Sequence, residues 1–128
     1  MREIEFRGKT KEGSWIHGSL LLSQQYSDGH RDCFIKGPSI QILDGISTPN
    51  HSFHEVDPNT VGQYTCLTDK NGVKIFEGDI VCGWQYDKNK KFIVEYKPSD
   101  YVCGFICKEL DVDNSGCILP GYQGIEVI

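Results

Sequence analysis

No run of apolar residues in this chain approaches the roughly 20 that a membrane-crossing helix needs, and the opening Met1-Arg2-Glu3-Ile4-Glu5-Phe6 lacks the apolar core of a secretory signal. A cytoplasmic protein is the expectation. No long segment repeats its apolar residues with a helical period, which excludes a helix bundle. Glycine-rich phosphate loops of the G-x-G-x-x-G or G-x-x-x-x-G-K kind are absent, and so is the G-x-S-x-G of a serine nucleophile. Cations are few: 13 Lys and Arg stand against 18 Asp and Glu, for a net charge of -5. The basic residues are dispersed, with one short run at Lys88 to Lys91. Non-specific nucleic-acid affinity comes mainly from clustered cations that displace counterions, so a broad phosphate-tracking surface is excluded and a local basic patch is not. The length of 128 residues leaves room for one sizeable core or two small β units.

The six cysteines form no C-x-x-C pair. Several sit where a small hydrophobe would, as in Ile80-Val81-Cys82-Gly83-Trp84 and Tyr101-Val102-Cys103-Gly104-Phe105. Reduced core thiols are therefore expected, with neither disulfides nor a zinc site.

What the chain has in quantity is glycine, 14 in all, with frequent turns and many β-branched and aromatic residues. These predict a mainly β protein with short helical turns only. The stretch from Val56 to Val81 carries the clearest signals. Asp57 is a good N-cap, Pro58 suits a first helical position and Thr60 can bond back to the backbone, so DPNTV predicts one helical turn stopped by Gly62. Gln63 to Leu67 and Val73 to Phe76 read as strands about the hairpin turn Asp69-Lys70-Asn71-Gly72, and Glu77-Gly78-Asp79 turns the chain into Ile80-Val81-Cys82. Gly72 and Gly78 are expected at positive φ.

On the N-terminal side, Arg2 to Arg7 and Trp15 to Leu22 alternate as strands about a polar turn, with Gly18 marking a bulge or a close backbone crossing. Ser23 to Arg31 is expected to be a loop. Cys33 to Ile35 and Ile40 to Leu43 are short apolar pieces parted by Gly37-Pro38, and Asp44 to Asn50 is a second expected loop before His51 to Val56. On the C-terminal side, Lys91 to Lys97 places Phe92, Val94 and Tyr96 on one face and pairs with Tyr101 to Cys107. Gly124 to Ile128 is a last strand, whose apolar end implies that it is packed or that the natural chain runs on.

Candidate chemistry is thin. His51 and His54, like His30 and Cys33, are three residues apart, which on a strand means opposite faces. Cys103 and Cys107 share a face and would need Cys82 or Cys66 opposite them to make a thiolate site. Asp111 to Gly116 has the start of an EF-hand loop but Tyr122 at its twelfth position, so it reads as a polar turn. Glu55 with Asp57, and Glu77 with Asp79, flank turns, where carboxylates cap backbone amides. No catalytic residue, metal or cofactor is expected. Six aromatic residues crowd into the meander from Trp84 to Phe105. Of these, Tyr86 and Tyr101 lie beside polar turns, and with Lys88, Lys90 and Lys91 they form the candidate binding set.

Val56-Asp57-Pro58-Asn59-Thr60-Val61-Gly62-Gln63-Tyr64-Thr65, followed by Leu67, Asp69-Lys70-Asn71-Gly72 and Ile75-Phe76-Glu77-Gly78-Asp79-Ile80-Val81, resembles the hallmark of the YopX family of phage and prophage proteins. Met1 to Arg7 and Gly13 to Gly18 are similar to the family's usual opening. The resemblance covers most of the chain. It implies an N-terminal β unit (1-56) joined to a C-terminal unit (57-128) similar to an SH3-like small barrel, and a home in a bacterial host cell. It brings no catalytic residue, since the family's function is unknown. Cys66 stands where the family usually has Gly, which suggests a position that accepts a small side chain. The expectation for function is a non-enzymatic protein-interaction or assembly module, with self-association into a homo-oligomer. The alternative is a nucleic-acid-binding small β-barrel.

Overall fold

Side chains alternate across a strand, and Trp15-Ile16-His17-Gly18-Ser19-Leu20 therefore offers one apolar edge and one mixed edge. The computed structural model uses it that way. It describes residues 1–43, 46–83, 90–98, 103–110, 116–118 and 125–128, with backbone alone for 38–43, 46–51, 103 and 116–118. The described strands are β1 Phe6–Lys9, β2 Trp15–Leu22, β3 Cys33–Leu43, β4 Ile46–Val56, β5 Gly62–Thr68, β6 Lys74–Phe76, β7 Ile80–Cys82, β8 Lys91–Pro98, β9 Cys103–Glu109, β10 Gly116–Ile118 and β11 Glu126–Val127. The one helical element among the described residues is a 3₁₀ turn, Pro58–Thr60. All described strand pairs are antiparallel, and the mainly β class holds. The chain divides into two compact units, Glu3–Gln63 and Tyr64–Ile128.

In the first unit the strand order is β4-β3-β2-β1, and β1 also pairs with the first two residues of β5 through Phe6 with Gln63 and Arg7 with Gly62. Cys33, Ile35 and Val56 are buried on the inner face, packed against Phe6, Ile16, Leu20 and Val61. The close crossing expected at Gly18 is present. Its φ is +154°, and a Cβ there would lie 2.0 Å from the carbonyl oxygen of Lys36. The 3₁₀ turn forms as its residues predict: Asp57 accepts from the Asn59 N–H at 2.9 Å, and the Thr60 hydroxyl donates to the Asp57 carbonyl at 2.7 Å. Both ends of that turn then seize β1. Asp57 N–H donates to the Lys9 carbonyl at 2.8 Å, and Lys9 N–H donates to Thr60 Oγ1 at 2.8 Å.

Three local expectations are corrected. The first strand begins at Phe6, not Arg2, because its partners are supplied by β2 and β5 from Phe6 onward. Gly37-Pro38 does not interrupt the chain: β3 runs unbroken to Leu43, and Ile46 to Asn50, expected as loop, belongs to β4. The reason is pairing. From Gly37 onward β3 has β4 as its neighbour and its β2 ladder has ended, so a proline there sits on edge-type strand, where a missing N–H is tolerated.

The second unit contains the β5-β6 hairpin and a five-stranded sheet in the order β10-β9-β8-β7-β11. Among the described residues that order ends on β10 and β11. Ile75, Val81, Phe92, Val94, Cys107 and Ile125 form its core. Phe92 and Val94 are buried as the alternation predicts, while Tyr96, on the same face farther along, is exposed. Gly72 and Gly78 have φ of +80° and +86° with open space where a Cβ would go, so the strain of any larger residue there comes from the backbone alone. Cys66 is the one described non-glycine residue at positive φ, +67°. It sits where the β5-β6 register shifts, with the Thr65 hydroxyl donating to the Ile75 carbonyl at 2.8 Å. A φ of this sign is the conformation that glycine adopts most readily.

Asp69 is buried at 6% exposure, and its carboxylate accepts from the N–H groups of Asn71, Val73 and Val127 at 2.8, 2.9 and 3.1 Å. Burial alone pushes its pKa up; the hydrogen bonds from Val73, Val127 and Asn71, with the Lys70 charge, outweigh burial and hold it below the ordinary 3.8. The same turn grips β11 twice more, through Lys70 N–H to the Ile125 carbonyl at 3.1 Å and Lys70 Nζ to Glu126 at 2.8 Å.

Three outcomes are expected in urea unfolding. Gly18→Ala costs more than about 3 kcal/mol, because backbone must move, whereas Gly72→Ala costs about 1–2 kcal/mol. Equal losses would contradict the crossing at Lys36. Cys66→Gly raises stability by up to about 1 kcal/mol as the left-handed strain is relieved. Asp69→Asn lowers stability at neutral pH by about 1–3 kcal/mol. Since the folded pKa of Asp69 is depressed, its contribution is present above the ordinary value and lost as pH falls through the folded one. The wild type should lose stability steeply below about pH 4, and Asp69→Asn should flatten that slope.

Candidate functional site

The outer face of the first unit follows from register. β1 Lys9 pairs with Trp15 and Arg7 with His17; β2 Ser19 pairs with Lys36 and Leu21 with Phe34; β3 Lys36 pairs with Phe53 and Phe34 with Glu55. Directly opposed residues of antiparallel strands share a face, so four strands deliver their outward side chains to one surface. Trp15, Leu21 and Phe53 keep 45%, 50% and 57% of their surface exposed, although each has the bulk to fill a core. They share that face with polar neighbours, His17 and Ser19 lying between Trp15 and Leu21 on β2 and Lys36 lying between Ser19 and Phe53.

Cations lie over the rings. The Arg7 guanidinium carbon is 4.6 Å from the centre of the Trp15 ring and Lys9 Nζ is 5.7 Å from it. Lys36 Nζ is 5.8 Å from the centre of Phe53. At exposed sites such contacts are worth about 0.5–1 kcal/mol each, enough to hold long side chains against the sheet and keep their charges there. His17 beside them contacts Glu5 at 3.4 Å. Next to this face, the hairpin tip of Thr10, Lys11 and Glu12 and the β4 residues Phe53, His54 and Glu55 line a groove of about 270 Å³.

The residues singled out from sequence are not brought together here. Tyr86, Lys88 and Tyr101 lie outside the described residues. Lys90 is paired with Glu109 at 2.9 Å, and Lys91 is exposed at the start of β8. His54 lines the groove, while the side chain of His51 lies outside the description. His30 stacks on Tyr26 at 4.3 Å and bonds Asp28, holding the loop from Ser23 closed. The hydrogen bond to His30 keeps the Asp28 carboxyl below its usual range, and that from Tyr26 to Asp32 pushes the phenol up. Cys33 points into the core, where burial, and then the Asp32 charge, push its thiol up, away from the reactive thiolate. Cys107 is buried in the second core and Cys66 is exposed, while the side chain of Cys103 and the turn from Asp111 to Ser115 fall outside the description. Among the described residues, no three His, Cys, Asp or Glu converge as metal ligands, and no helix is long and apolar enough to cross a membrane.

One carboxylate of each sequence pair acts as a turn brace. Asp57 caps the 3₁₀ turn, and Asp79, 6% exposed, accepts from the Phe76 N–H at 2.8 Å. Trp15, Lys36 and Phe53 escaped the sequence reading because they come from three strands and share a face only through register. One signal was available: Trp15 and Leu21 fall on the same parity of β2 as His17 and Ser19, which places large apolar groups on the polar side of an amphipathic strand.

The family model described as "YopX protein" matches residues 5–128. Among solved structures, the chain is similar to the crystal structure of protein EF1440 from Enterococcus faecalis, at 22% identity and a TM-score of 0.56, over 100% of this chain and 92% of that one. A search of curated proteins found no match.

Proposed function

We propose that this chain, which belongs to the YopX family, is a non-enzymatic recognition module whose working surface is the outer face of β1 to β4. The observation that carries this reading is the exposure of Trp15, Leu21 and Phe53 on one sheet face with Arg7, Lys9 and Lys36 held over two of the rings. Tryptophan and arginine are the residues that most often dominate binding energy at macromolecular contacts, because each offers a large contact area with a polar handle. Three described carboxylates that could have served as acids or bases, Asp57, Asp69 and Asp79, are instead engaged by backbone N–H groups. Self-association through this face in a two-fold arrangement would set Arg7, Lys9 and Lys36 of one copy against those of another, which disfavours it. The face therefore suits a different partner.

The test uses Trp15→Ala and Phe53→Ala. Both side chains are largely exposed, so each variant should stay within about 1 kcal/mol of wild-type stability. Affinity capture from host cells, with bound proteins and nucleic acids both identified, should return a species that wild type retains and both variants lose by tenfold or more. Identical capture by all three proteins would sink the proposal.

A further inference from the structure

We infer that the occupant of this face is a single-stranded nucleic acid; the inference rests on the recognition reading above and adds the chemistry of the partner. Rings and cations alternate across neighbouring strands: Arg7 and Lys9 on β1, Trp15 on β2, Lys36 on β3 and Phe53 on β4. An unpaired strand presents the same alternation, flat apolar bases linked by negative phosphates. Bases stack on exposed aromatic rings whatever their identity, and cations beside the rings take the phosphates. Antiparallel sheets bind single strands through rings on one open face; here the rings stand on β2 and β4, with Lys36 on the intervening β3. Duplex is a poor fit, because its bases are stacked on one another and offer no free ring face to Trp15 or Phe53.

Local charge outweighs the net charge of -5. Exposed charges farther than a Debye length, about 8–10 Å, are largely screened at physiological salt, so a phosphate on this face meets mainly the cations that the rings hold there. The register places Arg7, Lys9 and Lys36 on this face with Glu55, and Glu5 joins them at His17, so the cations number three against two carboxylates. The acidic remainder of the chain confines the strand to this surface. The Arg7 guanidinium stacked on Trp15 adds a second flat platform, since guanidinium planes stack on bases as well as bonding phosphates.

Fluorescence anisotropy of end-labelled dT15 and rU15, titrated with the full chain at 50 to 200 mM NaCl, tests this. Binding at the low-salt end is expected, with a log–log salt slope of about -2, the value for three cations on a single strand. Trp15→Ala and Phe53→Ala should each weaken binding by roughly 5- to 150-fold without loss of fold by circular dichroism. Lys36→Glu should weaken binding and make the slope shallower by about 0.7. In a Trp84→Phe background, oligonucleotide should quench the fluorescence of Trp15. Absence of binding to both oligonucleotides at 50 mM salt overturns the inference. So does binding that Lys91→Glu abolishes and that ignores the Trp15 and Phe53 substitutions, because the strand would then lie on the β8 side. If neither oligonucleotide binds and captured proteins are still lost from Trp15→Ala and Phe53→Ala, the partner is a protein: the nucleic-acid inference falls and the recognition reading stands.

Discussion

The carbonyl oxygen of Lys36 occupies the place beside Gly18 where any other residue would carry a Cβ. That approach sets how β2 and β3 lie together, and the face proposed for recognition depends on it. It fixes the ladder from Ser19 with Lys36 to Leu22 with Cys33, which sends Ile35 and Leu20 inward and Lys36 and Leu21 outward. A slip of one residue would exchange the two sets, burying a lysine and exposing the core isoleucine. The grip of the 3₁₀ turn on Lys9 serves the same end from the other side, since it holds β1, and with it Arg7 and Lys9, against Trp15.

The second unit is held by a different device. A buried carboxylate is costly unless its oxygens are satisfied, and Asp69 meets that condition with three backbone N–H groups, one of them from Val127, 58 residues later in the chain. The turn that joins β5 to β6 therefore also secures β11, and Ile125 beside it completes the core. Glu77-Gly78-Asp79 works likewise at smaller range, with Gly78 N–H donating to the Val94 carbonyl and Val94 N–H to the Asp79 carbonyl at 2.8 and 2.9 Å. Asp57, Asp69 and Asp79 thus serve as braces, and the face proposed for recognition draws its character from rings and cations on the first unit.

An acidic protein can still present a cationic face, provided the cations are kept in place. Lysine and arginine side chains are costly to order, and rings reduce that cost by giving their stems and charges a surface to lie on. Arg7, Lys9 and Lys36 are arranged that way. Lys90 is spent on Glu109, which shows how the same residue type, counted equally in a composition, differs in what it can offer a ligand.

From the chain alone one could determine what is local. The cap at Asp57, the turns at Asp69 to Gly72 and Glu77 to Asp79, the strand from Trp15 to Leu22 and the crowding at Gly18 all follow from residues within a few positions of one another, because caps, tight turns and side-chain alternation are short-range constraints. The mainly β class and the family resemblance followed from the same signals. Only the tertiary structure decided that β3 passes through Gly37-Pro38, since that rests on a partner strand, and that Cys66 takes a glycine's conformation, since that rests on a register shift against β6. The face proposed for recognition belongs to this second class. Lys36 and Phe53 are 17 residues apart in sequence and become direct neighbours through the β3–β4 register, while the β1–β2 and β2–β3 registers bring Trp15 to the same face, a long-range outcome that no local pattern encodes.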